Sequence, residues 1–317
     1  MNFPSFLNTI ATLFVMLIVG YVAGKMGIID SVASKKFSAL IIKIAQPALI
    51  ISSIVGVRYS SEMLKIGIKT SALGFAVHLF MWGIAFLACC KIKNVDERKI
   101  LEFSMVFGNT GFIGIPIMKS LWGETGAFMA AFIVISFNIL MWTVGIAILG
   151  RKRPDIKLTL KKALINKGTV PSLIGVCVFL IPAFLPSFVL PEFVSASLSY
   201  VASLCTPVSM LIIGALLAGR TSKQIFGSGK VYYLCLFKLV AIPLIVCLVM
   251  KILGFDSFWI MFATVLTCMP SATSVSMLAE LYDISAGFSA QGVGTTSLFA
   301  IATMPCVILL AQKIIEL

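Results

Sequence analysis

A run of helix-breaking residues lies inside an apolar stretch that is long enough to cross a lipid bilayer. The run, Gly108–Ile117, reads GNTGFIGIPI and contains three glycines, one proline and an Asn-Thr pair. Such residues interrupt an α-helix, and every backbone group that they free needs a partner because hydrocarbon supplies none. A break of this kind persists in a membrane only where protein or a water-lined cavity satisfies the backbone. It is typical of ligand sites inside the bilayer.

The composition places the whole chain in the membrane. Of its 317 residues 60% are hydrophobic and only 12% are charged, with a mean hydropathy of +1.08. Soluble domains average about 25% charged residues and under about 50% apolar residues. The net charge of +13 does not indicate nucleic acid, because the basic residues lie mainly in short connections between apolar runs. We therefore expect the lipid bilayer, and no nucleic acid, as the surroundings of this chain.

Ten apolar runs have the length that a membrane-spanning helix needs, about 17–25 residues. We predict spans near residues 5–24, 33–55, 67–90, 100–119, 124–149, 169–189, 193–219, 230–252, 256–281 and 285–312. Of the 25 lysines and arginines, 17 fall in the loops after the odd-numbered spans and six in the other loops and the termini. Because basic loops stay in the cytoplasm, this bias predicts a multi-pass plasma-membrane protein with both termini outside the cytoplasm.

Landmarks of the first five spans recur about 160 residues later in the second five. The corresponding pairs are Gln46-Pro47 with Thr206-Pro207, His78 with Lys238, and Asn109-Thr110 with Met269-Pro270. Two repeats of five spans must have opposite orientations, so the sequence predicts an all-α integral membrane fold of ten transmembrane helices in two inverted five-helix repeats. The predicted domains are a first repeat over residues 1–150, a cytoplasmic linker over 151–168 and a second repeat over 169–317.

A second broken run, Cys268–Ser276, lies in the ninth predicted span. Spans 4 and 9 would run antiparallel, so their breaks can cross, bringing two half-helix N-termini and unpaired backbone N–H groups together. Such a site suits a carboxylate. Asn109, Thr110 and Ser271 would add polar groups, and Gly111 would let a ligand approach the backbone closely. The alternative is a pair of satisfied helix kinks without a ligand.

Acidic residues are missing from both breaks. Glu102 lies near the start of span 4, and Glu280 and Asp283 lie near the end of span 9. A cation carrier usually places a carboxylate at such a crossing. The sequence therefore favours an anionic or polar neutral substrate.

The two breaks carry recognisable motifs. The first is N-T-x-x-x-G-I-P-x-x-K-x-x-G from Asn109 to Gly123, and the second is M-P at Met269-Pro270 followed by A-E-x-Y from Ala279 to Tyr282. They resemble those of the auxin efflux carrier family, which includes plant PIN auxin transporters and bacterial permeases for organic acids such as malate and malonate. The resemblance covers the whole chain, and the short central loop is similar to that of a compact prokaryotic permease.

The resemblance implies a fold related to bile-acid/sodium symporters and sodium/proton antiporters. Such a fold has a scaffold part (spans 1, 2, 6 and 7) and a mobile transport part (spans 3–5 and 8–10). The resemblance also implies that Asn109 and the breaks at Pro116 and at Met269-Pro270 line the substrate site.

Charged and polar side chains inside other spans add candidates. Lys43 and Gln46 are one turn apart in span 2, so both can face one cavity, Lys43 as a counter-charge for the substrate. Alternatively Lys43 reaches towards the membrane surface, and Gln46 belongs to a helix kink at Pro47. His78 and Lys238 are candidates for proton coupling, with a structural role as the alternative.

The sequence thus predicts a secondary transporter that moves a small organic anion, auxin-like or malate/malonate-like, across the plasma membrane by alternating access. The alternatives are a channel or receptor-like protein on the same fold, or an ion-coupled symporter or antiporter for another solute. We expect no enzyme activity, cofactor or metal, because the spans contain no catalytic or metal-ligand arrangement. A homodimer is left open.

Overall fold

The computed structural model describes residues 3–153, 155–156, 165–166 and 168–317. Within these ranges all regular structure is helical and no strand forms. One isolated antiparallel bridge joins Gly108 and Ser271. The predicted all-helical fold is confirmed for the described part, whereas most of the predicted linker over 151–168 lies outside it.

We number the helices in chain order. They are α1 Phe3–Lys25, α2 Ser31–Val55, α3 Ser61–Cys89, α4 Val95–Val106, α5 Thr110–Leu149, α6 Thr169–Phe184, α7 Glu192–Ala218, α8 Ser222–Phe226, α9 Gly229–Ile252, α10 Ser257–Thr267, α11 Thr273–Leu281 and α12 Ala286–Glu316. Among the described helices seven are long and apolar enough to cross a membrane, namely α1, α2, α3, α5, α7, α9 and α12. Two shorter apolar helices are α6 and α10. The chain is a helical membrane protein, and the crossing of ten segments as two inverted repeats stays a prediction.

Three wide turns inside the long helices each precede a proline, whereas a fourth, Met141–Gly145 in α5, does not. π-helical turns occupy Ile41–Ala45 in α2, Thr110–Gly114 in α5 and Phe237–Ala241 in α9. A proline follows each turn by two residues, namely Pro47, Pro116 and Pro243. A proline ring clashes with the carbonyl four residues earlier, and in all three helices that carbonyl lies within the π turn. Each helix therefore widens at its proline instead of ending there.

Helix α5 bends sharply at Trp122 and Gly123. Trp122 has φ −133° and ψ 17°, and Gly123 has φ +65° and ψ −151°. A positive φ of this kind is readily adopted by glycine, which has no Cβ. The bend lies between residues 119 and 124, where the sequence separates predicted spans 4 and 5.

The chain divides into two compact units. The first contains the described residues of Met1–Gly74, Gly111–Ile139 and Leu160–Gly219, and the second those of Phe75–Thr110, Leu140–Thr159 and Arg220–Leu317. The predicted assignment of whole spans to a scaffold part and a transport part stays a prediction.

In the first unit α1 packs directly against the second half of α7 through glycines. A Cβ on Gly20 would lie 2.3 Å from the carbonyl oxygen of Leu211, and one on Gly214 would lie 2.1 Å from that of Leu17. Such distances leave no room for a side chain, so the two backbones touch. The spacing of Gly20 and Gly24 on α1 is thus part of a packing seam.

Candidate substrate site

In the second unit the interruption after α4 pairs with the interruption between α10 and α11. The Asn109 N–H donates to the carbonyl oxygen of Pro270 (2.7 Å), and the Ala272 N–H donates to that of Phe107 (2.9 Å). These hydrogen bonds form the bridge between Gly108 and Ser271. We call residues 107–110 and 268–272 the crossing.

Side chains fix the crossing to its neighbours. The Ser271 hydroxyl donates to the carbonyl oxygen of Ser104 (3.0 Å), one of the last carbonyls of α4, which have no intrahelical partner. The Ser271 N–H donates to the hydroxyl oxygen of Thr296 on α12 (3.2 Å). Two backbone interruptions are in this way held together without a continuous helix.

These contacts change one expectation from the sequence. The N–H groups of Asn109, Thr110, Ser271 and Ala272 all donate within the protein, the Thr110 N–H to the Gly108 carbonyl at 2.8 Å. The expected unpaired N–H groups are therefore not found at these four positions. The antiparallel pairing satisfies two of them, Asn109 and Ala272, while the Gly108 carbonyl and the Thr296 hydroxyl accept from the other two.

The start of α11 provides the donors that the crossing itself lacks. Ala272, which precedes the helix, makes no side-chain cap, and N–H groups in the first turn of a helix have no intrahelical acceptor. The Ser274 hydroxyl in this turn is buried and has no hydrogen-bond partner among the described residues. The N–H groups of Thr273 and Ser274 and this hydroxyl make the start of α11 suitable for an anion. The sequence analysis did not single out Ser274, although it lies in the quoted run Cys268–Ser276.

The predicted site residues of the second unit are brought together. Asn109, Thr110, Met269, Pro270 and Ser271 are all buried within the crossing. Their arrangement agrees with the prediction that the two breaks meet, and their binding of a substrate stays a prediction.

Lys238 and His78, the two candidates for proton coupling, both lie close to the crossing. Lys238 is on the π turn of α9, fully buried, and its Nζ donates to the carbonyl oxygen of Met105 (3.2 Å). The buried His78 ring has its centroid 6.0 Å from that of the Phe107 ring. Their predicted role in proton coupling stays a prediction.

The other predicted site residues belong to the first unit. A Cβ on Gly111 would lie 3.1 Å from Nε2 of Gln46, and the Thr206 hydroxyl donates to the carbonyl oxygen of Phe112 (3.3 Å). The Gln46 and Thr206 side chains, which correspond in the two halves of the sequence, thus both approach the first turn of α5. Pro116 is half-buried, whereas Lys43 is exposed. A substrate role for Gly111, Pro116, Gln46 and Lys43 stays a prediction.

A buried ion pair in the second half of α4 was not predicted from the sequence. Glu102 is fully buried, and Arg151 holds both of its carboxylate oxygens at 2.5 Å. The Trp82 indole N–H donates to Oε1 of the same carboxylate (3.0 Å). The hydrogen bonds to Glu102 raise the pKa of the Arg151 guanidinium above its ordinary value. No local motif predicts this contact, because its charged partners are 49 residues apart.

Long apolar helices and two helix interruptions that pair with each other define a helical membrane transporter. A family model described as "Membrane transport protein" matches residues 5–308, nearly the whole chain. The chain belongs to this family, the auxin efflux carrier-like permeases. The resemblance drawn from the two sequence motifs is confirmed.

Individual relatives extend over almost the same length. The chain is 25% identical to an uncharacterized transporter of Methanocaldococcus jannaschii, covering 93% of this chain and 95% of the relative. It is 24% identical to a Rhizobium meliloti protein named "Putative malonate transporter", covering 92% of this chain and 91% of the relative. An uncharacterized transporter of Methanothermobacter thermautotrophicus is 20% identical over 96% of this chain and 98% of its own length.

Proposed function

We propose that the protein is a carrier for a small organic anion with at least one carboxylate, and that malonate is the first substrate to test. The main supporting observation is the start of α11 beside the crossing. It presents first-turn N–H groups and the positive end of the helix dipole, and the side chain of the preceding residue, Ala272, does not cap it. The name of the Rhizobium meliloti relative agrees with this substrate class.

In this proposal a substrate carboxylate accepts hydrogen bonds from the N–H groups of Thr273 and Ser274 and from the Ser274 hydroxyl. The Asn109 amide binds a second polar group of the substrate, since an amide can both donate and accept. The crossing contains no acidic residue that would repel an anion. The nearby carboxylate of Glu102 is neutralised by Arg151.

The site would be exposed to each side of the plasma membrane in turn, by alternating access of the mobile part past the scaffold part. With an inside-negative potential, one negative charge that leaves the cell gains about 2.3 kcal/mol per 100 mV. Efflux of a monovalent carboxylate can therefore run without a coupling ion, whereas uptake requires one.

The test is malonate binding and flux with purified protein. We expect the wild type to bind malonate in a thermal-shift titration and, in liposomes, to show saturable uptake that internal malonate accelerates. Asn109→Ala should weaken malonate binding about tenfold or more, since a hydrogen bond to a charged group contributes about 1.5–3 kcal/mol.

Asn138→Ala is the matched control, because Asn138 is also a buried asparagine on a membrane helix and its amide donates to the Val134 carbonyl (2.7 Å). It should keep wild-type malonate affinity in monodisperse protein. Wild-type affinity in monodisperse Asn109→Ala would contradict the site. Unsaturable, ohmic currents would indicate a channel and contradict the carrier.

A further inference from the structure

Lys238 is a cation enclosed next to the crossing in the second unit. Its side chain is 0% exposed, and among the described residues its Nζ has one hydrogen-bond acceptor, the Met105 carbonyl oxygen. A Cβ on Gly108 would lie 3.2 Å from this Nζ. The ammonium group is therefore almost in contact with the backbone that leads directly into Asn109.

The charge of Lys238 is only partly compensated by the protein. None of the ion pairs formed by described residues includes Lys238. Met105 is in the last turn of α4, whose free carbonyls carry about half a negative elementary charge. The start of α11 adds about half a positive charge on the other side of the break. The end of α10, directly before Cys268, adds about half a negative charge, so the sum of the lysine charge and these three helix ends is about half a positive charge.

An uncompensated buried cation is unfavourable, and a bound anion relieves it. We propose that Lys238 supplies the counter-charge for the carboxylate of the substrate at the crossing, so that the site selects anions over neutral analogues of the same shape. This inference rests on the proposed function. Lys238 need not touch the substrate, because opposite charges interact strongly over 4–6 Å in a water-poor interior.

A purely structural role for Lys238, as a cap on the carbonyls of α4, makes a different prediction. Loss of a cap would loosen the crossing and so lower the affinity for charged and neutral ligands alike. Loss of a counter-charge weakens binding of charged ligands alone. The decisive quantity is therefore the ratio of the affinities for malonate and for its uncharged diamide, malonamide.

The experiment measures both affinities by thermal shift for the wild type, Lys238→Met and Lys238→Arg. We expect the wild type to prefer malonate to malonamide. Lys238→Met should reduce the affinity for malonate about thirtyfold or more and leave that for malonamide within about threefold, since removing one partner of a buried charge pair has effects of this size. Lys238→Arg keeps the positive charge and should therefore bind malonate more tightly than malonamide, as the wild type does.

Lys251→Met is the matched control. Lys251 is on the same helix, α9, and its Nζ also donates to a backbone carbonyl, that of Ile314 in α12. Its removal should leave both affinities unchanged. If Lys238→Met is not monodisperse, Lys238→Gln replaces it, because the amide keeps a donor for the Met105 carbonyl.

The outcomes separate the two proposals. A wild type that binds neither compound overturns the proposed substrate class and this inference with it. A wild type that binds both compounds equally, or an unchanged affinity ratio in the Lys238 variant, overturns the counter-charge while the carrier stands.

Discussion

Two buried charges of the second unit show how differently the same interior can treat an ion. Glu102 is enclosed by partners, with a bidentate arginine and an indole N–H directed at its carboxylate. Lys238 is buried to the same extent but has a single backbone carbonyl as its acceptor and no carboxylate among the described residues. The paired Glu102 joins α4 to Trp82 of α3 and to Arg151, whereas the charge of Lys238 is the one proposed above to act on a bound substrate.

Removing the paired anion should have the largest effect on stability. Glu102→Ala should lower the free energy of unfolding by about 3 kcal/mol, because it leaves the Arg151 guanidinium without its partner. Unfolding by increasing SDS in mixed micelles measures this. Asp155→Ala is the control, since Asp155 pairs with Arg153 at the surface. If Asp155→Ala lowers the free energy of unfolding as much as Glu102→Ala does, the buried pair contributes no more to stability than a surface pair, and the prediction fails.

The Trp82 indole is a third group at the Glu102–Arg151 pair, and its removal measures how much it contributes to the stability of that pair. Trp82→Phe keeps an aromatic side chain, although a smaller one, and loses the indole N–H that donates to Glu102. We expect a loss of about 1 kcal/mol in the free energy of unfolding, the usual contribution of one hydrogen bond. The same SDS titration measures it, and in Glu102→Ala the Trp82 substitution should add almost nothing. A full additive loss would contradict a shared network.

Removing the under-paired cation should change stability less. In Lys238→Met the lost hydrogen bond to Met105 and the relieved burial of a charge oppose each other, so the net change should stay within about 1 kcal/mol. The SDS titration compares it with Glu102→Ala. A loss as large as that of Glu102→Ala would show that Lys238 is a structural ion.

An exposed pair in the first unit should have the smallest effect. Nζ of Lys119 lies 2.6 Å from Oε1 of Glu124, and both side chains are more than half exposed. Solvent screens such pairs, so Glu124→Gln should change the free energy of unfolding by under about 0.5 kcal/mol. A larger loss in the same titration would indicate that this pair holds the bend at Gly123.

Much of the fold could be predicted because its signals are local. Prolines 47, 116 and 243 mark three widened turns, and a glycine spacing marks the contact between α1 and α7. The motif around Asn109 gave the family. The pairing of the two breaks also followed from local signals, since each break leaves a backbone that must find a partner.

The remainder depends on which chain segments meet. The pair of Glu102 and Arg151 joins α4 to a residue that follows α5, and the spacing of the two residues in the sequence does not predict it. The expectation of unpaired N–H groups was wrong at four positions of the crossing, because the two breaks satisfy each other at Asn109 and Ala272 and neighbouring groups satisfy Thr110 and Ser271. Ser274 could have been predicted as a polar residue at the start of a half-helix, but the burial of its hydroxyl away from any partner among the described residues depends on the packing of the helices.

The π turn Phe237–Ala241 has a consequence for the angular register of α9. A π turn holds one residue more than the corresponding α-helical turn, which rotates the preceding half of the helix by about 100° relative to the following half. Lys238 lies within this turn. Deleting one residue among 239–241, together with Pro243→Ala, would restore an unbroken helix and swing the lysine around the helix axis. The direction in which this charge points therefore depends on the π turn that precedes Pro243.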